Sequence, residues 1–243
     1  MRKIKIGKNC LGCIPLLILW VSCSAQVQGS LHLDGSADLI LQASLEPRMA
    51  ALIRSLSRLS GGSSRSEQVL DAATISKSLA SAPGIKSLVL RNQNPTTIEG
   101  TISILKVDAF LAVPGSPGNS NFITYEQTHA GGRLRIALDR SSSPRILTLL
   151  SPEVRDYLSA LMAPVATGES LSQKEYFALI QSIYGKPLAD EITAARIQVT
   201  IDFPGSISTI QGGRAAENRA AFTIPLGDML VLEHPLIYEV FWQ

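Results

Sequence analysis

The chain has 243 residues, with 22 Lys and Arg against 20 Asp and Glu, and a formal net charge of +2. Four of the basic residues lie within the first eight positions, so the remainder carries 18 basic against 20 acidic residues. This balance argues against the clustered basic surface that nucleic-acid binding requires, and no nucleic-acid partner is expected.

The first 22 residues have the pattern of a secretory signal peptide. A basic start is followed by an apolar run over residues 11–21 and by small residues at 22–25. The apolar run is too short to cross a bilayer as a helix, which takes about 20 residues. We therefore predict that the protein is exported.

Cys23 closes a run, Leu-Trp-Val-Ser-Cys over residues 19–23, that resembles the lipobox of bacterial lipoproteins. In that family the cysteine takes a diacylglycerol thioether and becomes the first residue of the mature protein. Trp20 departs from the family, which usually has an aliphatic residue there. The resemblance implies lipidation of Cys23 and an anchor in a bacterial envelope membrane, in a leaflet that the sequence leaves open. The alternative is plain secretion, with cleavage after Ala25 and loss of Cys23.

The remaining cysteines, Cys10 and Cys13, lie inside the signal, so the mature chain has no internal disulfide by this prediction. Residues 23–30 are predicted to be the lipidated cysteine and a short tether. At about 3.3 Å per residue the tether reaches roughly 23 Å, which keeps the folded part close to the membrane. Residues 31–243 are long enough to bury one core, and we predict a single domain there.

The first half of this domain is predicted to mix strands and helices. Alternating apolar and polar residues over 31–43 predict one long strand with a bulge at Gly35. Apolar residues at helical spacing predict a helix that begins at Pro47 and a second helix from Ser66 to Leu79. There follow two antiparallel strands, at 85–91 and 97–107, and a hairpin with strands at 122–127 and 133–138.

The second half begins with a helical block at about 143–196. Helix starts are predicted at Ser143, Ser151 and Ser172, with a short fourth helix near 188–195. Strands are then predicted at 197–203, 206–210 and 220–224, a short helix at 226–232 and a closing strand at 236–242. This order predicts an α+β fold, with a mainly antiparallel sheet packed with helices and the helical block between two groups of strands.

Residues that carry catalytic or metal chemistry are sparse. No two of the histidines, His32, His129 and His234, have the spacing of metal ligands, and no serine lies in a nucleophile motif. We therefore expect no metal, no cofactor and no catalytic residue, and a protein that is not an enzyme. The alternative is an envelope hydrolase with an unrecognised active site, which a concave cluster of serine, histidine and acid would favour.

Aromatic residues provide the candidate for a ligand site. Phe122 and Tyr125 border the irregular segment 113–120, and the helical block contains four more: Tyr157, Tyr176, Phe177 and Tyr184. One interpretation is a plain core between the helices and the sheet. The other is an apolar groove between them that accepts an acyl chain or a segment of a partner.

Several segments resemble uncharacterised lipoproteins of spirochaetes: residues 50–56 (AALIRSL), 149–153 (LLSPE), 157–164 (YLSALMAP) and 202–205 (DFPG). The run 203–205, the glycine pair 212–213 and Trp242 are also similar to mycobacterial LppM-type lipoproteins, whose envelope domain is associated with lipid or glycolipid binding. That family has a C-terminal membrane helix, which we do not expect here. The resemblances imply a membrane-anchored envelope lipoprotein that binds a lipid, peptide or protein partner.

Overall fold

The computed structural model describes residues 24–59, 69–80, 82–112, 122–140 and 171–243. Residues 1–22, predicted as a signal peptide, lie outside the described residues, as do Cys23, the segment 113–120 and Tyr157. So do the helix starts predicted at Ser143, Ser151 and Ser66.

The described residues form eleven strands in two sheets, which we call sheet A and sheet B. Sheet A has the order β3-β4-β2-β1-β7-β10-β9, and sheet B has the order β5-β6-β11-β8. The strands are β1 (Ser24–Leu31), β2 (Ala37–Ser44), β3 (Ile85–Asn94), β4 (Thr97–Ile104), β5 (Ile123–Thr128), β6 (Gly131–Leu138), β7 (Arg196–Asp202), β8 (Ile207–Gln211), β9 (Gly213–Ala216), β10 (Arg219–Pro225) and β11 (Leu236–Trp242). Of the described pairs, β1 with β7 is parallel and the others are antiparallel.

Six helices accompany these strands in the described part of the chain. They are α1 (Pro47–Leu59), α2 (Ala72–Ala80), α3 (Val107–Leu111), α4 (Gln173–Tyr184), α5 (Lys186–Ala194) and α6 (Leu226–Val231). The predicted α+β fold with a mainly antiparallel sheet is confirmed. Helix α4 begins where the sequence predicted, because Ser172 and Glu175 form a reciprocal capping box at its first turn.

The long strand predicted over 31–43 is wrong, and so is the tether predicted at 24–30. Residues 24–31 are strand β1 in the interior of sheet A, and they form a hairpin with β2 through a turn in which Gly35 has a φ of 78°. Leu31 and Ala37 are register partners, so they face the same side of the sheet. The apolar alternation therefore continues across the turn unchanged, which made two strands look like one.

Two predicted boundaries also move. The second helix begins at Ala72, where the Asp71 carboxylate accepts the backbone N–H of Ala73 at 2.9 Å, as expected of an N-cap residue. The strand predicted to run to Val107 ends at Ile104. Val107 instead begins α3, which buries Val107 and Leu111 against Ala37 and Ile104.

Sheets A and B pack face to face through a shared apolar core. Trp242 of sheet B lies in the middle, with its ring centroid 4.8 Å from that of Phe203 and 6.1 Å from that of Tyr125. The other large buried members of this core come from both sheets: Leu134, Ile201, Phe222, Ile224, Tyr238 and Val240. The opposite face of sheet A presents exposed side chains, among them Gln26, Gln28, Ile40 and Gln42.

Helices α1, α4, α5 and α6 form a separate cluster, which we call the helix layer. Its buried side chains are Met49, Tyr176, Ile180, Leu188, Ala189, Ile192, Leu230 and Val231. The layer lies at the end of sheet A where β1 begins, because Ser24 has Ser44 and Arg196 as register partners. Helix α1 begins three residues after Ser44, and α5 ends two residues before Arg196.

Candidate functional site

The predicted aromatic groove does not come together among the described residues. Tyr176 is only 1% exposed inside the helix layer, where its ring meets that of Phe177 edge-on at 5.5 Å between centroids. Burial raises the pKa of the Tyr176 hydroxyl above its usual range. The hydroxyl has no hydrogen-bond partner within the described structure. Tyr184, at the end of the same helix, is 39% exposed.

The other two described members of that set lie elsewhere. Phe122 is buried against Leu138 and Leu232. Tyr125 packs between the two sheets beside Trp242, and burial raises its pKa to about 12. Phe122, Tyr125 and Tyr176 are thus buried or half-buried by the elements next to them, because side chains on different elements pack into the nearest apolar layer, whereas Tyr184 stays partly exposed. They occupy three places and do not line one groove.

One cluster of serine, histidine and acid does form, on the exposed side of sheet A. His32 Nε2 lies 3.0 Å from Asp38 Oδ2, and the Ser103 hydroxyl donates to Asp38 Oδ1 at 2.6 Å. The carboxylate stands between the other two groups. A nucleophilic serine needs its hydrogen bond directed to the imidazole that removes its proton, so this order of groups does not make a catalytic triad.

This cluster leads to a prediction about acid titration. The Ser103 hydroxyl, and after it the hydrogen bond with His32, hold the pKa of Asp38 below its ordinary value of 3.8. Ser103→Ala is therefore expected to raise the pKa of Asp38 toward 3.8, measured by NMR titration of the carboxyl carbon. His32→Ala should also raise it, because this change removes both the hydrogen bond and the charge of His32 from Asp38.

The same shift determines the direction of the pH effect on stability. A carboxylate whose pKa is lower in the folded than in the unfolded state stabilises the fold above the unfolded pKa. That contribution disappears as the pH falls through the folded pKa. An Asp38 pKa that stays the same in Ser103→Ala would contradict the hydrogen bond.

A recess lies at the end of sheet B, and its residues are the strongest candidates for ligand contact. It has a volume of about 590 Å³, and its lining includes Glu126, Thr128, Arg133, Thr209, Phe241 and Gln243. We call it the end pocket. It adjoins the β5–β6 turn, and the side-chain amide of Gln127 donates to the carbonyl of Leu33 in the β1–β2 turn at 3.0 Å. The pocket is therefore near the end of sheet A opposite to Ser24.

The end pocket combines an aromatic ring with an arginine that is paired to a glutamate. The guanidinium carbon of Arg133 lies 5.4 Å from the centroid of the Phe241 ring, in cation–π geometry. Glu239 fixes the guanidinium through an ion pair of 2.6 Å and also lies 3.8 Å from Arg135. A Cβ added at Gly132 would collide with the Trp242 ring, so glycine lets the core tryptophan close the pocket floor.

Sequence reasoning missed this pocket, although one signal for it was present. Phe241 has the opposite parity to Val240 and Trp242 in the closing strand, and the structure leaves it 36% exposed. A single aromatic residue on the outward parity of a strand is a weak signal, because isolated exposed apolar residues are common on protein surfaces. The polar partners come from β6 and β8, and pairing across the sheet brings them next to Phe241.

Comparison with known proteins adds little to this description. No family model matches the chain, and no curated protein matches it significantly. A solved structure similar to it is the NMR structure of the folded domain of the Mycobacterium tuberculosis protein LppM. The two share 10% sequence identity with a TM-score of 0.43, over 90% of this chain and 88% of that one. An overlap of that size assigns neither a shared fold nor a function.

Two further observations concern membranes and metals. In the described ranges every helix is too short or too polar to cross a bilayer. Over the same ranges, His, Cys, Asp and Glu side chains do not gather in threes as metal ligands would.

Proposed function

We propose that the protein is an exported, non-enzymatic envelope lipoprotein, anchored through Cys23, that holds a partner at its end pocket. The observation that carries this proposal is that Ser24 and the end pocket lie at opposite ends of the fold. The described structure begins with strand β1 at Ser24, the residue bonded to Cys23, and the end pocket lies at the other end of the sheets. Strand β1 has eight residues, which at about 3.3 Å each separates the two ends by roughly 26 Å. An anchor at Cys23 would therefore leave the pocket facing the aqueous compartment.

The chemistry of the end pocket favours a peptide segment of a partner protein as its ligand. The hydroxyl of Thr209 and the amide of Gln243 can bond peptide groups, and the Phe241 ring can contact an apolar side chain. The Thr128 hydroxyl is already bonded to Gly131 and Ala130 within the β5–β6 turn. Its volume of about 590 Å³ falls within the range of about 300–1,000 Å³ usual for ligand sites. The arginine beside the ring is already paired with Glu239, so the pocket has little excess charge to select an ion.

The experiment is photo-crosslinking in native cells, with p-benzoylphenylalanine introduced in place of Phe241. We expect a defined protein adduct, identified by mass spectrometry. The matched control carries the same group at Ile40, which is 58% exposed on the outer face of sheet A, and should give none. Thr209 is the register partner of Phe241 on β8. Thr209→Trp should therefore fill the pocket and suppress the adduct. Equal crosslinking at both positions, or none at Phe241, would contradict the proposed ligand site.

A further inference from the structure

The end of α4 carries apolar side chains that the helix layer leaves uncovered. Leu179 is 44% exposed, Ile183 is 60% exposed and Tyr184 is 39% exposed. They flank the buried residues Tyr176 and Ile180 on the same broad apolar side of the helix. The apolar side is therefore covered at Tyr176 and Ile180, but it is uncovered at Leu179 beside them and at Ile183 and Tyr184 in the last turn.

This bare turn forms the tip of a helical hairpin. Gly185 connects α4 directly to α5 with a φ of 86°, and the two helices pack together through Ile180 and Leu188. Helix α5 has nine residues and so spans about 13 Å from the tip to the start of β7. The start of β7 is also the start of β1, because Arg196 is the register partner of Ser24.

The position of Cys23 identifies what the tip faces. Cys23 is bonded to Ser24, so its Cα lies about 3.8 Å from the first residue of β1. Because Ser24 is already inside sheet A, no flexible spacer separates a lipid on Cys23 from the folded protein. The helix layer lies at this same end of the sheet, so an anchor at Cys23 would place that layer next to the bilayer.

We infer that the tip of α4 inserts into the headgroup layer of the membrane that holds Cys23, through Leu179, Ile183 and Tyr184. This inference rests on the lipid anchor of the proposed function. A tyrosine between apolar residues suits the membrane interface, where its ring is buried and its hydroxyl remains hydrated. Lys186, which follows Gly185 at the tip, is paired with Asp190 at 2.8 Å. Apolar insertion therefore provides the contact, and attraction to anionic lipid contributes little.

The test uses the full-length lipoprotein with Ile183→Cys. Cys23 is blocked by its lipid in the mature protein, so the new thiol is the single site for an environment-sensitive nitrobenzoxadiazole label. We expect a blue-shifted emission in phosphatidylcholine vesicles and quenching when the lipids carry a doxyl group near the headgroup. Vesicles that also contain phosphatidylglycerol should give the same result. The matched control, Ile40→Cys, has a similarly exposed isoleucine on sheet A and should show neither effect.

The outcomes separate this inference from the anchor itself. A protein that fails to sediment with the vesicles, with an unmodified Cys23 thiol by mass spectrometry, overturns the anchor and the insertion together. A protein that sediments while its Ile183 label remains in water overturns the insertion and leaves the anchor intact. A blue-shifted label that doxyl lipids do not quench means that a second copy or another protein covers the tip, and the lipid assignment is wrong.

Discussion

Trp242→Ala is expected to destabilise the protein by about 3–5 kcal/mol, the cost of emptying a buried site of this size. The indole is 3% exposed and joins the two sheets by packing on Phe203 and Tyr125. It also closes the pocket floor over Gly132. Chemical denaturation followed by circular dichroism measures the change, because the substitution removes the tryptophan that fluorescence would follow in the mature chain.

The control for this prediction is the neighbouring residue on the same strand. Phe241 faces outward, and its stacking with Arg133 contributes about 1 kcal/mol or less. Phe241→Ala should therefore lower the free energy of unfolding by clearly less than Trp242→Ala does, while it removes the ring from the end pocket. Similar losses in the two variants would mean that Trp242 does not hold the sheets together.

Cys23→Ala is expected to abolish membrane attachment. Two or three acyl chains at about 0.8 kcal/mol per buried methylene hold a protein firmly in a bilayer, and removing the thiol removes all of them. The mutant should incorporate no palmitate analogue in metabolic labelling. It should leave the membrane fraction or accumulate with its signal peptide uncleaved.

Cys13→Ala is the matched control, because Cys13 lies in the segment that the signal peptidase is predicted to remove. It should label and fractionate like the wild type. Retention and labelling of Cys23→Ala at the wild-type level would rule out Cys23 as the anchor. The protein would then be bound to the membrane by other means. The proposed insertion of α4, which depends on a lipid at Cys23, would no longer be supported.

Local signals predicted much of the secondary structure in the last third of the chain. Helix α4 was predicted from Ser172 as its start and from apolar residues at helical spacing, and the reciprocal bonds of Ser172 with Glu175 in the structure involve only four residues of sequence. Strands β7 and β11 were found from strict alternation, which reports one buried face. These patterns succeed because the interaction and the residues that make it are close together in sequence.

The same alternation failed for β1 and β2, and the reason is physical. Periodicity records which side of a sheet a residue faces, but it does not record the direction of the chain. Leu31 and Ala37 face the same side of the sheet on either side of a turn. The alternation of apolar and polar residues therefore continues although the chain reverses its direction. Strand β1 also pairs in parallel with β7, as in the partners Ser24 and Arg196, which are far apart in the sequence. This pairing places a segment that was predicted as a tether inside a sheet.

The prediction of membrane targeting and the fold class both depend on short-range patterns: a charged start, an apolar run, a cysteine, and the periods of strands and helices. The candidate site depends on long-range packing. The large aromatic side chains of Phe122, Tyr125 and Tyr176 are typical of buried positions. Only the packing of the two sheets and the helix layer decides that they lie in three separate places. The same packing leaves Phe241 and Ile183 uncovered at opposite ends, because exposure depends on where neighbouring elements stop, and this is decided by residues distant in sequence.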